Sequence, residues 1–478
     1  MAELRIQARE LRPSLVPTAA LSVMPFATVL LLAIVAQLVL APWMVANHWD
    51  FQAKIGLDIA TSIVLAVSLT MVNGFTGQFS IGHAAFMAVG AYASAMIVYY
   101  GSFRLLGNVN MNGGLVSSMI FEPARTAPIL TLADGLFALS LIVGGLVAAI
   151  CGYVVGLPSL RLKGDYLAIV TLGFGEIVRV LVQSQTTEVL SEGSSVTQEH
   201  LDSISAWSAL TTDDTMMAEQ IAKVPWYLWP RYTGGALGFG GLPSYTSLFW
   251  VVLAAGVTLV VAFRLKRSSF GRAFLSIRED EIAANSMGVN VTAYKVRAFV
   301  IAAFFAGIAG GLYAHTTGVQ LKADELGFQK SFDIIIMVVL GGLGSISGAS
   351  VAAIIVTILP ELLRKPETLG DCWPWGLGLL VVGIAIAIGM HRAKRSAALG
   401  KALITTGAVA LFLSAIALLA AHNKFDIGPY RMVLFAIALV AMMLLRPQGL
   451  FGVQEIWDRG LWREIFRKAP AKRGGPAA

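Results

Sequence analysis

The side chains best suited to handling a small polar solute lie in one stretch, "NGFTGQFSIGHAAFMAVGAYASA" (Asn73 to Ala95). It places Asn73, Thr76, Gln78, Ser80 and His83 between two apolar runs. Polar groups at membrane depth are costly unless they line a cavity or bond a neighbour. Gly74, Gly77 and Gly82 allow the helix to break there, and a broken helix offers free backbone groups to a polar substrate near the midplane. The chemistry on offer is hydrogen bonding to a solute in passage. The plainer alternative is a tight turn in which His83 starts the next helix.

A second set lies in "RLKGDYLAIVTLGFGEIVRVLV" (Arg161 to Val182). Asp165 opens a helix and suits its N-cap. Glu176 follows at about 16 Å along the axis. Arg179 is three residues further, so the two charges share a face and form an ion pair expected to look into the bundle. A structural pair is the simpler role. Thr171 and Glu176 are also candidates for a pathway lining, and Thr171, Gly173 and Gly175 thin the helix for close packing or a polar lumen.

The third set is charged. Nine charged residues crowd into the loop 265–297 of a chain that otherwise avoids them. Within it "SIREDEIAANSMG" reads as a short amphipathic helix. Ile277, Ile282 and Ala284 lie on one side, Arg278, Glu279, Asp280 and Glu281 on the other, with Gly288 as the stop. A mixed-charge helix presented to solvent suits a soluble partner; a solvated linker fits as well. There is no GxxxxGK[ST] phosphate loop, no HExxH and no GxSxG, so the chain carries no recognisable nucleotide-hydrolysing or hydrolase centre. Nor is there a row of intramembrane carboxylates of the kind proton-driven carriers use.

The elements that must position these residues follow from composition. Of 478 residues, 56% are hydrophobic and 13% charged, with a mean hydropathy of +0.74. A soluble domain carries about 25% charged residues, so the chain is an all-α polytopic membrane protein with lipid as a partner. Its net charge of +7 does not indicate nucleic acid, because the basic residues cluster in short loops and at both ends. Apolar runs long enough to span occur at 24–46, 55–72, 84–100, 136–157, 167–183, 248–264, 298–315, 374–390, 401–421 and 430–446. A further run, 331–364, is too long for one helix and is broken by "GGLGSISG", with Gly341, Gly342, Gly344 and Gly348. It reads as a hairpin, spanning or re-entrant, with those glycines at its turn.

The positive-inside rule then puts both termini and the 265–297 loop in the cytoplasm and gives 10–12 transmembrane helices. The long loop 184–247 falls on the other side; its "WYLWPRYTGGALGFGGLP" suits either a docking surface or a packed insertion. Cys151 and Cys372 imply neither a disulfide framework nor a metal site. The basic start "MAELRIQARELRPSLVP" leads into a first run with no cleavage site, which reads as a retained helix.

Four stretches, in order, resemble the LivM-type permeases, membrane subunits of ABC importers for branched-chain amino acids. They are "NGFTGQFSIGHAAFMAVGAYA", "GDYLAIVTLGFGEIVR", the loop from "GRAFLSIREDEIAANSMG" to "GGLYA", and the ending "RPQGLFG". The likeness covers most of 50–365 and 429–452. It implies an inner-membrane permease of a bacterial importer, not itself an enzyme. Its partners would be a LivH-type permease, two ABC ATPase subunits that bind the ATP and Mg²⁺, and a periplasmic substrate-binding protein. No cofactor would reside in this chain.

The charged loop would be the ATPase-coupling loop. Its Ala-Ala-x-x-x-Gly pattern falls on Ala283, Ala284 and Gly288, with Arg278, Glu279, Asp280 and Glu281 alongside, though Ile282 stands where the family's motif is usually acidic. The expected organisation is a tail at 1–23, a permease core at 24–365 and a last core helix at 429–452 with a tail at 453–478. The segment 366–428 departs from the family by inserting two spans, and about 186–232 enlarges the outer loop. Urea or short-chain amide uptake within the same family is an alternative, as is an ion-coupled secondary carrier.

Overall fold

The computed structural model of the protein describes residues 18–107, 131–159, 165–187, 226–316 and 320–364, together with Val189 and a few positions between 433 and 455. Seven helical segments among the described residues are long and apolar enough to cross a membrane: Val23–Met44, Phe51–Gly74, His83–Leu106, Leu132–Ser159, Tyr166–Gln183, Leu248–Arg267 and Val291–Ala314. The only extended pairing among the described residues is an isolated antiparallel bridge between Phe239 and Leu321. The chain is an all-α, multi-pass membrane protein. The runs at 374–390 and 401–421 and most of 430–446 lie outside the described residues, as does Cys372.

The helices are α1 (Thr18–Val35), α2 (Ala41–Ala46), α3 (Asp50–Leu69), α4 (His83–Leu106), α5 (Leu132–Ser159) and α6 (Asp165–Gln183). They continue with α7 (Leu248–Arg267), α8 (Ser269–Glu279), α9 (Glu281–Ser286), α10 (Val291–Ala314), α11 (Phe328–Gly341) and α12 (Ile346–Arg364). Two π-turns interrupt the first half, Ala36–Leu40 before α2 and Thr70–Gly74 after α3. The first carries a buried Gln37 whose Oε1 accepts from the Phe249 amide at 3.0 Å, satisfying an orphan donor in the first turn of α7.

The core is the trio α4, α5 and α10, packed against one another along small residues. In lipid no hydrophobic drive brings helices together, so close backbone approach must do it. Gly90 lies against the Gly307 backbone, and a Cβ on Gly307 would meet the Gly144 carbonyl at 2.8 Å and Gly145 at 2.9 Å. Ala303, Gly307 and Gly311 recur at four-residue spacing, a small-residue repeat that by itself suits a helix contact in a membrane bundle, and here it makes one. Around the trio, α3 packs on α7, α10, α11 and α12, while α6 lies against α4 and α1 against α7. Along α6, where the sequence suits either close packing or a polar lumen, the two glycines are not closely packed. Gly173 faces open space, and Gly175 makes only an ordinary contact with Ala85.

The 331–364 run is indeed two helices, but the break is shorter than its glycines suggest. Gly341 ends α11 and Gly348 lies inside α12, where the two pack backbone to backbone. Gly342 and Gly344 carry the turn with φ of 108° and 96°, angles other residues rarely adopt. In the long loop, the described stretch 226–247 is packed on the bundle. Trp229 stacks on Tyr100, whose hydroxyl donates to the Tyr232 carbonyl at 2.6 Å. Trp226 and Tyr227 remain exposed.

Candidate functional site

The polar stretch after α3 forms a broken helix buried in the bundle. The π-turn Thr70–Gly74 is wholly buried, the chain then leaves the helix, and α4 starts at His83. A π-turn shifts the register of the backbone ladder and is often found at functional sites. Asn73, Thr76, Gln78, Ser80 and His83 are each at most 5% exposed. Asn73 Oδ1 accepts from the Ser80 amide at 3.2 Å, and Thr76 Oγ1 donates to the Val72 carbonyl at 2.8 Å. His83 Nε2 lies 2.7 Å from Ser68 Oγ, tying the start of α4 to α3.

Thr171 on α6 belongs to the same cluster. Its Oγ1 accepts from the Ile81 amide at 3.1 Å, and its backbone lies where a Cβ on Gly82 would go. Asn73 Nδ2, both amide atoms of Gln78 and Ser80 Oγ have no partner among the described residues. Leaving such a group buried and unpaired costs about 1–3 kcal/mol. So four polar atoms in one broken segment are held ready for hydrogen bonds.

Glu176 does not join this cluster. The expected pair with Arg179 forms at 2.8 Å, but it faces a partly open side instead of the bundle interior. The reason is a third charge distant in sequence. Asp324 accepts from Arg179 Nη1 at 3.1 Å and from Gln183 Nε2 at 2.6 Å, drawing the guanidinium toward the end of α6.

The charged loop is two helices, not one. Asp280 has an extended backbone with φ of −158°, and its carboxylate accepts from the Ile282 and Ala283 amides at 2.8 and 3.0 Å. It thereby caps α9, which favours a new helix start over continuation. The break reverses one expectation. Ile277 and Ala284 are buried, whereas Ile282 is 74% exposed and Met287 84%. Ile282 borders a cleft of ≈ 520 Å³ that is lined also by Glu281, Asn285, Gly288 and Asn290. Gly288, at φ 84°, ends α9 as expected. Ala283 and Glu279 are exposed. Glu281 pairs with Lys295, whose side chain is only 6% exposed, so this carboxylate serves a buried ammonium.

The loop reaches the broken segment through Arg278. Its Nη1 donates to the Gly74 carbonyl at 2.8 Å, and the same atom lies 2.7 Å from where a Cβ on Gly344 would stand. Lys266, in the last turn of α7, donates to the Gly344 carbonyl at 2.7 Å. The π-turn, the glycine turn and the charged loop thus meet at one end of the bundle.

Glu455 also stands there, a residue that sequence reasoning left in a solvated tail. It is 3% exposed and accepts from Lys266 Nζ at 2.6 Å and from the Ile346 and Ser347 amides at 2.9 Å each. The acidic residue lies 108 to 189 positions from these partners, with no local pattern to announce it. Among the described residues no group of His, Cys, Asp and Glu side chains converges to hold a metal ion.

Residues 53–366 match the family described as "Branched-chain amino acid transport system / permease component". The high-affinity branched-chain amino acid transport system permease protein LivM of Escherichia coli K12 is 34% identical over 344 residues, 70% of this chain and 68% of that protein. The LivM of Salmonella typhimurium is 33% identical over 329 residues, 67% of this chain and 66% of that protein. The chain thus spans about two thirds of the length of these curated relatives. The LivH permease protein of Escherichia coli K12 is 30% identical over 121 residues, 25% of this chain and 38% of its own length. No solved structure matches the chain. On the match over residues 53–366 and the identity to LivM, the chain belongs to the family of permease components of branched-chain amino acid transport systems.

Proposed function

We propose that the protein is a membrane-spanning subunit of an ATP-driven ABC importer of branched-chain amino acids. It sits in the bacterial inner membrane with both termini in the cytoplasm. A LivH-type permease completes the passage, two ABC ATPase subunits bind the ATP and Mg²⁺ beneath it, and a periplasmic binding protein delivers the substrate. The loop of α8 and α9 is the coupling element. Its exposed Ile282 and Met287 seat in an ATPase groove, and Arg278 passes the resulting motion to Gly74.

The observation that carries this reading is the contact of Arg278 with the broken segment. Closure of the ATPases on ATP displaces α8 and α9. That displacement bears directly on the backbone that presents Asn73, Gln78 and Ser80, and the paired bundles rock between outward-open and inward-open states. The unpartnered amides and hydroxyl then meet the carboxylate and ammonium of a passing zwitterion. None of them is charged, so the solute is bound loosely enough to leave.

A tagged pull-down in mild detergent tests this. The expected result is recovery of a P-loop ATPase and a second permease. Ile282→Asp with Met287→Asp should lose the ATPase and keep the permease. Recovery of this chain alone, under conditions that preserve a known ABC complex, would overturn the reading.

A further inference from the structure

Beside the Arg278 contact lies a second set of bonds that the coupling loop does not explain. The glycine turn between α11 and α12 is gripped by the C-terminal part of the chain at two points. A Cβ on Gly449, which has φ of 76°, would meet Gly342 at 2.5 Å, so the two backbones touch. Six residues later the Glu455 carboxylate occupies the first turn of α12. It accepts from the Ile346 and Ser347 amides at 2.9 Å, from Ser347 Oγ at 2.7 Å and from Ser345 Oγ at 3.3 Å. The four first amides of a helix lack intrahelical partners, and an anion there meets both those amides and the positive end of the helix dipole.

The same carboxylate pairs with Lys266 at 2.6 Å, and Lys266 in turn holds the Gly344 carbonyl. Lys266 is two residues from Ser268, the cap of α8, whose Oγ accepts from the Gly271 amide at 3.2 Å. A Cβ on Gly271 would meet the Lys266 backbone, so the elbow from α7 into α8 has no slack. Lys266, the glycine turn and Glu455 therefore form a charge-bonded triangle two residues from the cap of α8.

We propose that Glu455 is a positioning residue for transport. Its carboxylate ties the end of α7 to the α11–α12 turn, and through that tie motion entering at α8 reaches the hairpin. This rests on the importer reading, and two measurements separate the two claims. The first needs no transport: hydrogen exchange of the amides of 345–349 in the purified full chain. In Glu455→Gln the Ile346 and Ser347 amides should exchange faster than in the wild type. Unchanged exchange would overturn the brace, whatever the transport data say.

The second measurement uses the complex in liposomes with leucine as probe. Wild-type complex that takes up no leucine with ATP would overturn the importer reading and leave the exchange result to decide the brace. Where uptake is present, Glu455→Gln should keep ATP hydrolysis near the wild-type rate and lower leucine uptake about tenfold, the size expected for losing charge-assisted hydrogen bonds. Lys266→Met should do the same, and the double variant should fall no further, because the two act in one network. A merely structural Glu455 would lower the yield of complex and leave leucine imported per ATP unchanged; that result would overturn its role in transport.

Discussion

Arg278 donates to the Gly74 carbonyl at 2.8 Å across 204 residues of sequence. One side chain thus joins a solvent-facing helix to the buried π-turn that follows α3. The carbonyl it holds belongs to a π-turn, where the ordinary helical acceptor pattern has slipped and carbonyls are left over. Removing the guanidinium breaks a charge-assisted bond worth about 1.5–3 kcal/mol. Arg278→Ala should therefore lower leucine uptake by about tenfold or more while ATP hydrolysis continues. Arg278→Lys, with one donor in place of a fork, should recover part of it. Uptake and hydrolysis measured on the same liposomes check this. Equal loss of both would mean that Arg278 serves assembly and not transmission.

Gly82 and Gly173 make a matched pair of tests for the fold. Gly82 lies against the Thr171 backbone, which cannot move aside, whereas Gly173 faces open space. Gly82→Ala should cost about 1–3 kcal/mol through overpacking and lower the melting temperature of the detergent-solubilised chain. Gly173→Ala, in a helix interior, should be neutral or stabilising by up to about 1 kcal/mol. A tolerated Gly82→Ala would show that α4 and α6 are free to separate.

What could be read from the sequence was what local spacing controls. The glycines around Asn73 left two readings, a broken helix or a tight turn before His83, and the structure combines a π-turn at Thr70–Gly74 with a helix that starts at His83. Gly307 announced a helix contact through its four-residue repeat. The capping of α9 was harder to see. Asp280 resembles its charged neighbours in type, and only its extended backbone makes it a cap that turns Ile282 outward.

Long-range partners left no trace at all. Asp324 draws Arg179 from 145 positions away, and Glu455 reaches the Ile346 amide from 109. Each lies in a stretch whose own pattern reads as solvated loop. Burial of a charge is set by what folds over it, which no local period records.

Thr171 offers a test of the broken segment itself. Its hydroxyl accepts from the Ile81 amide at 3.1 Å and also donates to the Ala168 carbonyl at 3.0 Å. Thr171→Val keeps the volume and removes the acceptor, leaving the Ile81 amide unpaired at a cost of about 1–3 kcal/mol. Thr171→Ser keeps the bond. The expected order of thermal stability is wild type, then Ser, then Val. Exchange of the Ile81 amide should rise in Val alone. Equal exchange in both variants would show that another acceptor serves Ile81.

Glu455 predicts a dependence on pH. Burial pushes its carboxyl up, but the bonds from Lys266 and from the Ser347 and Ile346 amides outweigh that and hold it below its ordinary 4.5. A carboxyl depressed by folding binds its proton more readily in the unfolded chain. Its contribution to stability is therefore complete above about 4.5, the unfolded value, and is lost as pH falls through the lower folded one. Melting of the solubilised chain should show wild type above Glu455→Gln at neutral pH. The gap should narrow on acidification below that value, since protonated Glu455 can no longer take Lys266 and two amides as an anion. A gap that stays constant down to the lowest pH at which the chain remains soluble would mean that the carboxylate contributes by shape and not by charge.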